Sequence, residues 1–138
     1  MITRRTLLAT LAGAALLQGA NLAYAQTPVE VNIVALGHWP VQKALDPARA
    51  LLKTYGDKVA VQEFDAEADD GMALIKSAGK QGHVPLLILI NGTYQFTRAD
   101  GSEIAFFSFP SGAANPLGAG GSWSIDDLKA VLDAQLGG

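Results

Sequence analysis

The stretch Leu86-Leu87-Ile88-Leu89-Ile90-Asn91-Gly92 decides how this chain folds. Five unbroken aliphatic residues mark a strand covered on both faces, because a strand with one wet face alternates apolar and polar residues. Asn91-Gly92 is the strongest short hairpin signal, since a type I′ turn needs positive φ at both central positions. Asp100-Gly101 is a second such signal, so Thr93 to Arg98 and Glu103 to Phe109 are expected to pair antiparallel. Alternation along Phe106-Phe107-Ser108-Phe109 puts Phe107 and Phe109 on one face and Phe106 on the other.

Upstream the pattern differs. Val29 to Leu36 reads as a buried strand that Gly37 to Pro40 breaks. A helix follows, with Asp46 as cap, Pro47 in the first turn, and Ala48, Leu51, Leu52 and Tyr55 on one face. An earlier start at Val41 with a kink at Pro47 is the alternative. Gly56-Asp57 ends that helix, and Val59 to Phe64 is the second strand. Asp69 or Asp70 caps a second helix, with Met72, Ile75 and Ala78 inward. A strand-helix-strand unit favours parallel pairing. Downstream, Pro110 to Ser122 is a Gly-, Ala- and Pro-rich loop. Ser124 then caps the last helix, with Asp127 three residues on as a capping box and Ile125, Leu128, Val131, Leu132 and Leu136 as the apolar stripe. The fold class is α/β: a mixed sheet of four to five strands with helices on both faces.

The 138 residues hold one domain and a leader. Residues 1–25 read as a signal peptide: Arg4 and Arg5 form the basic start, Leu7 to Leu17 the apolar stretch, and Ala23-Tyr24-Ala25 the cleavage site. Thr3-Arg4-Arg5-Thr6-Leu7-Leu8 resembles the twin-arginine export motif, with an ordinary Sec leader as the alternative. The apolar run is short of the ~20 residues of a membrane span, so no stable anchor is expected after cleavage. Residues 26–138 are the expected domain, exported to the bacterial periplasm. Ten basic and 13 acidic residues give net −3, a balance that argues against nucleic acid as a partner. There is no cysteine, hence no disulfide, no thiolate nucleophile and no zinc-thiolate site.

At His83-Val84-Pro85-Leu86-Leu87 the chain resembles thioredoxin-like proteins, and the resemblance extends over nearly all of Val29 to Leu136. Asn91-Gly92-Thr93-Tyr94 looks like the hairpin of the periplasmic disulfide-oxidoreductase branch, and Leu128 to Leu136 like the family's closing helix. The resemblance implies a cis peptide bond before Pro85, beside an active-site loop after the first strand. It places His38-Trp39-Pro40-Val41 where the family carries Cys-x-x-Cys; anchoring on Pro47 instead puts Trp39 and Gln42 at the two cysteine positions. Both sulfurs are lost either way.

Loops at the carboxyl ends of parallel strands line the usual crevice of such sheets. Candidate binding residues are therefore His38, Trp39, Pro40, Val41, Val84 and Pro85, with Val84 offering its backbone to an extended peptide by strand addition. Trp39 either anchors a partner from an exposed loop or folds inward over the first helix. The leading expectation is a non-catalytic, periplasmic thioredoxin-like protein that binds a peptide or partner protein at this edge without a cofactor. The alternative is a copper or zinc handler using His38, His83 and Asp65, with Glu67 or Met72 as other third ligands. His38 as a general acid or base lacks an identifiable nucleophile or orienting partner. Glutathione binding at the proline is a further reading that the resemblance implies. The acidic run Glu63 to Asp70 does not fit a calcium loop, and Gly118 to Gly121 lacks the Lys-Ser/Thr of a phosphate cradle.

Overall fold

A computed structural model describes residues 27–112 and 121–137. The leader at 1–25 and the middle of the Pro110–Ser122 loop lie outside the described residues. The elements run β1 (Val29–Ala35), α1 (Trp39–Thr54), a 3₁₀ turn (Gly56–Lys58), β2 (Val59–Asp65), α2 (Asp69–Ser77), β3 (Leu86–Ile90), β4 (Gln95–Thr97), β5 (Glu103–Ala105) and α3 (Ile125–Gln135).

β1 is central and buried on both faces, largely apolar apart from the buried Asn32; only Glu30 is exposed. It pairs parallel with β2 from Val29↔Val59 to Ala35↔Asp65, and antiparallel with β3 from Val31↔Ile90 to Ala35↔Leu86. The parallel pair needs a long crossover, which α1 provides. All five residues of β3 are buried, as the unbroken aliphatic run requires. Asn91 and Gly92 adopt φ of 48° and 80°, and Ile90 and Thr93 exchange backbone hydrogen bonds of 2.8 and 3.1 Å across that turn.

The five strands do not form one continuous ladder. β2-β1-β3 is one sheet and β4-β5 another, joined by an isolated bridge between Leu87 and Phe107. Around that bridge the Ile88 amide donates to the Phe106 carbonyl (2.9 Å) and the Ser108 amide to the Leu86 carbonyl (2.7 Å). Ser108 at φ 65° breaks the extended run, which keeps this fourth pairing to a few residues. α1 packs beside α3, and α2 lies against β1 and β2.

Besides the N-cap of α2, which is Ala68 and not Asp69 or Asp70, three local expectations need correction. α1 starts at Trp39 with His38 as its N-terminal flank, so Pro40 occupies the first turn and Pro47 the interior. Pro40 has the fixed φ that suits a helix start, whereas Asp46 pairs with Lys43 (3.3 Å) and Arg49 (3.6 Å) instead of capping. Met72 was expected inward and is 48% exposed. Gly71 and Ile75 face the sheet instead: Gly71 comes so close that a Cβ there would lie 1.9 Å from the Asp65 carbonyl oxygen, and Met72 turns outward. The third correction is the Val84–Pro85 bond, which is trans, like every other peptide bond among the described residues. Trans is the cheaper isomer by about 0.5–1 kcal/mol, and here it lets the Pro85 carbonyl accept from the Leu36 amide (3.0 Å), continuing the β1–β3 ladder.

α3 follows its prediction. Ser124 Oγ accepts from the Asp127 amide (3.1 Å) and Asp127 Oδ2 from the Ser124 amide (3.0 Å), completing the capping box. Leu128, Val131 and Leu132 are buried in the core that β1 and β3 supply. No helix among the described residues is long and apolar enough to cross a membrane.

Candidate functional site

The carboxyl ends of β1 and β2 and the approach to β3 meet at one sheet edge. β1 delivers Leu36, which is buried, then Gly37, His38 and Trp39, which are exposed. β2 delivers Asp65, Ala66 and Glu67, where the Asp65 carboxylate accepts from the Glu67 amide (2.8 Å) and so tightens the turn into α2. Between α2 and residues 80–84 lies a cleft of about 620 Å³. Its floor is the buried set Leu36, Ala66, Ile75 and Val84; its rim carries Glu67, Met72, Lys76, Lys80 and His83. Two further clefts of about 580 and 560 Å³ lie between α1 and β2 and between the β4–β5 hairpin and α3.

The six candidate binding residues fall into different environments. His38 and Trp39 are exposed, Trp39 at 69%, so the tryptophan projects from the start of α1 rather than folding over it. Pro40 is half-buried, and Val41 is buried on the inner side of α1, where it meets only core. Val84 is buried as a whole residue, and no hydrogen bond among the described residues uses its backbone N–H or carbonyl. Pro85 is half-buried and spends its carbonyl on Leu36. His83 lines the cleft and His38 does not. Among the described residues no three His, Cys, Asp or Glu side chains are grouped to hold a metal ion, so His38, His83 and Asp65 do not form such a set.

Sequence reading missed the cleft's cations. Lys76 and Lys80 are four residues apart, a spacing that would have put them on one side of a longer helix. The helix stops before Lys80, with Gly79 at φ 74°, and the chain turns so that Lys80 Nζ sits 4.5 Å from the Phe107 ring centroid and 5.2 Å from that of Tyr94. The missed anchor of the opposite end is Trp123, fully buried and edge-on to Phe106 at 5.5 Å between centroids. Its position just before the Ser124 cap, with apolar Leu128 in the first helical turns, is the pattern of a hydrophobic staple and was available in the sequence.

Electrostatics reinforce that end. Arg98 makes a two-pronged pair with Asp127 (Nε–Oδ1 2.9 Å, Nη2–Oδ2 2.8 Å) and donates to the Glu103 and Ser122 carbonyls. The Arg98 guanidinium holds the Asp127 carboxyl below the usual carboxylate range. Burial, then its hydrogen bond to Asp133, pushes the Tyr55 hydroxyl up to about 12, joining α1 to α3.

Comparison with known protein families, curated proteins and solved structures finds no match for this chain.

Proposed function

We propose that this is an exported, thioredoxin-like binding domain that holds an extended peptide or a partner protein at the edge formed by Trp39, the cleft and Val84. The observation that carries the reading is Trp39. Only Trp39, Val61 and Met72 are exposed large apolar residues among those described, and two of the three, Trp39 and Met72, flank this edge. An exposed tryptophan offers wide contact area with few rotors to freeze, the usual profile of an interface anchor.

The thioredoxin-like assignment is supported by the order of elements, by parallel β1–β2 pairing with antiparallel β3, and by the short Phe106–Ser108 pairing that extends the sheet. The trans bond before Pro85 departs from the resemblance and weighs against an inherited ligand site. With no sulfur in the pair of positions after β1, thiol exchange is chemically closed at that edge.

The test is photo-cross-linking from a reactive side chain placed at position 39, with position 53 on α1 as control. The reading expects a discrete adduct from position 39 in the cells that make the protein, and none from position 53. Equal labelling from both positions, or none from either, rejects it.

A further inference from the structure

The cleft between α2 and residues 80–84 has a charge pattern opposite to that of the chain. The chain carries net charge −3, yet two lysines and one glutamate line this cleft. Four cations elsewhere are matched: Lys43 with Asp46, Arg49 with Asp46 and Glu63, Arg98 with Asp127, Lys129 with Asp133; Lys53 and Lys58, away from this cleft, are not matched among the described residues. Lys76 and Lys80 have no carboxylate partner among the described residues. Lys80 is also held in place, since its ammonium lies over two aromatic rings. Ring faces orient a cation without neutralising it and leave its N–H groups free to donate. Beneath the lysines the floor is wholly apolar, formed by Leu36, Ala66, Ile75 and Val84. Such a surface recognises a ligand with an apolar group and a carboxylate a few ångströms apart. Glu67 stands beyond the opposite end of α2 and disfavours an anion there, which fixes polarity along the groove.

We infer that the cleft takes an acidic peptide segment, seating an apolar side chain on its floor and a carboxylate between Lys76 and Lys80. This rests on the peptide-binding reading above and names the chemistry of the peptide.

The experiment is selection of a random nonapeptide display library on the purified protein, followed by affinity measurement with the synthesised consensus peptide. The expected consensus has Asp or Glu at a fixed spacing from an apolar residue. Its affinity should fall roughly tenfold in the Lys76→Gln/Lys80→Gln protein, the loss of two partly exposed ion pairs. It should also weaken between low and physiological salt. Lys80→Arg keeps both the charge and the ring stacking, so near-normal affinity there separates lost recognition from lost folding. A consensus without acidic residues, or one indifferent to both lysines, overturns the acidic-peptide inference while leaving peptide binding intact. No enrichment above a Trp39→Ala control overturns the peptide reading itself.

Discussion

α2 and α3 flank the same β-structure and are built to opposite specifications. α3 begins with a completed capping box, carries a two-pronged Arg98–Asp127 pair, and follows a fully buried tryptophan. α2 is nine residues long, has no side-chain cap at Ala68, and buries only Gly71 and Ile75. A helix so short is marginal without tertiary support. The contrast places stability at the hairpin end and adaptability at the cleft, which is where binding loops and lids are drawn from.

The largest break of this comparison is Trp123→Ala. It removes the largest fully buried side chain and its edge contact with Phe106, and should cost about 3–5 kcal/mol in denaturant unfolding. Gly71→Ala is the counterpart on the other side. A methyl 1.9 Å from the Asp65 carbonyl oxygen forces α2 off the end of β2, at about 1–3 kcal/mol, and should enlarge the cleft as read by chemical shifts at Met72 and Val84. Smaller still is Ser124→Ala, about 1 kcal/mol from the lost cap; the mirror change Ala68→Ser should stabilise by a similar or smaller amount and slow amide exchange in α2. If Ser124→Ala accelerates exchange in α2 as much as in α3, the two helices are one cooperative unit and the contrast fails.

pH sharpens the comparison from the α3 side. The Asp127 carboxyl is held low in the folded protein, so its contribution is present above the ordinary carboxylate pKa of about 3.9 and is lost as pH falls through its own value. The Tyr55 hydroxyl is raised to about 12, so its contribution holds below the ordinary value of about 10 and drains away as pH rises toward 12. Tyr55→Phe should flatten the alkaline limb of a stability–pH curve and Asp127→Asn the acid limb.

The strands, the Asn91-Gly92 turn and the α3 cap were legible because each depends on residues adjacent in sequence. The start of α1 was not, because Pro40 and Pro47 both suit a first turn and local sequence does not choose between them. Met72 was misread for a similar reason: the facing of a nine-residue helix depends on how closely Gly71 can approach Asp65. At the site, the exposed loop His38-Trp39 was placed by its position after β1. Val41 was carried along by the motif and turned out to be core. Lys76 and Lys80 escaped because Gly79 ends the helix between them, and no linear pattern puts Lys80 over Phe107, 27 residues away in sequence.

β2 is the outer strand of its sheet, seven residues long, with neither proline nor lysine in it and with Val61 41% exposed. A row of free backbone donors and acceptors of that length is a template for another copy of the same strand. Charged side chains on an edge strand oppose such pairing, and Glu63, which also pairs with Arg49, and Asp65 are the acids this strand carries. The acidity that looks featureless in the composition thus has a local use, and Glu63→Gln should raise concentration-dependent self-association as read by light scattering.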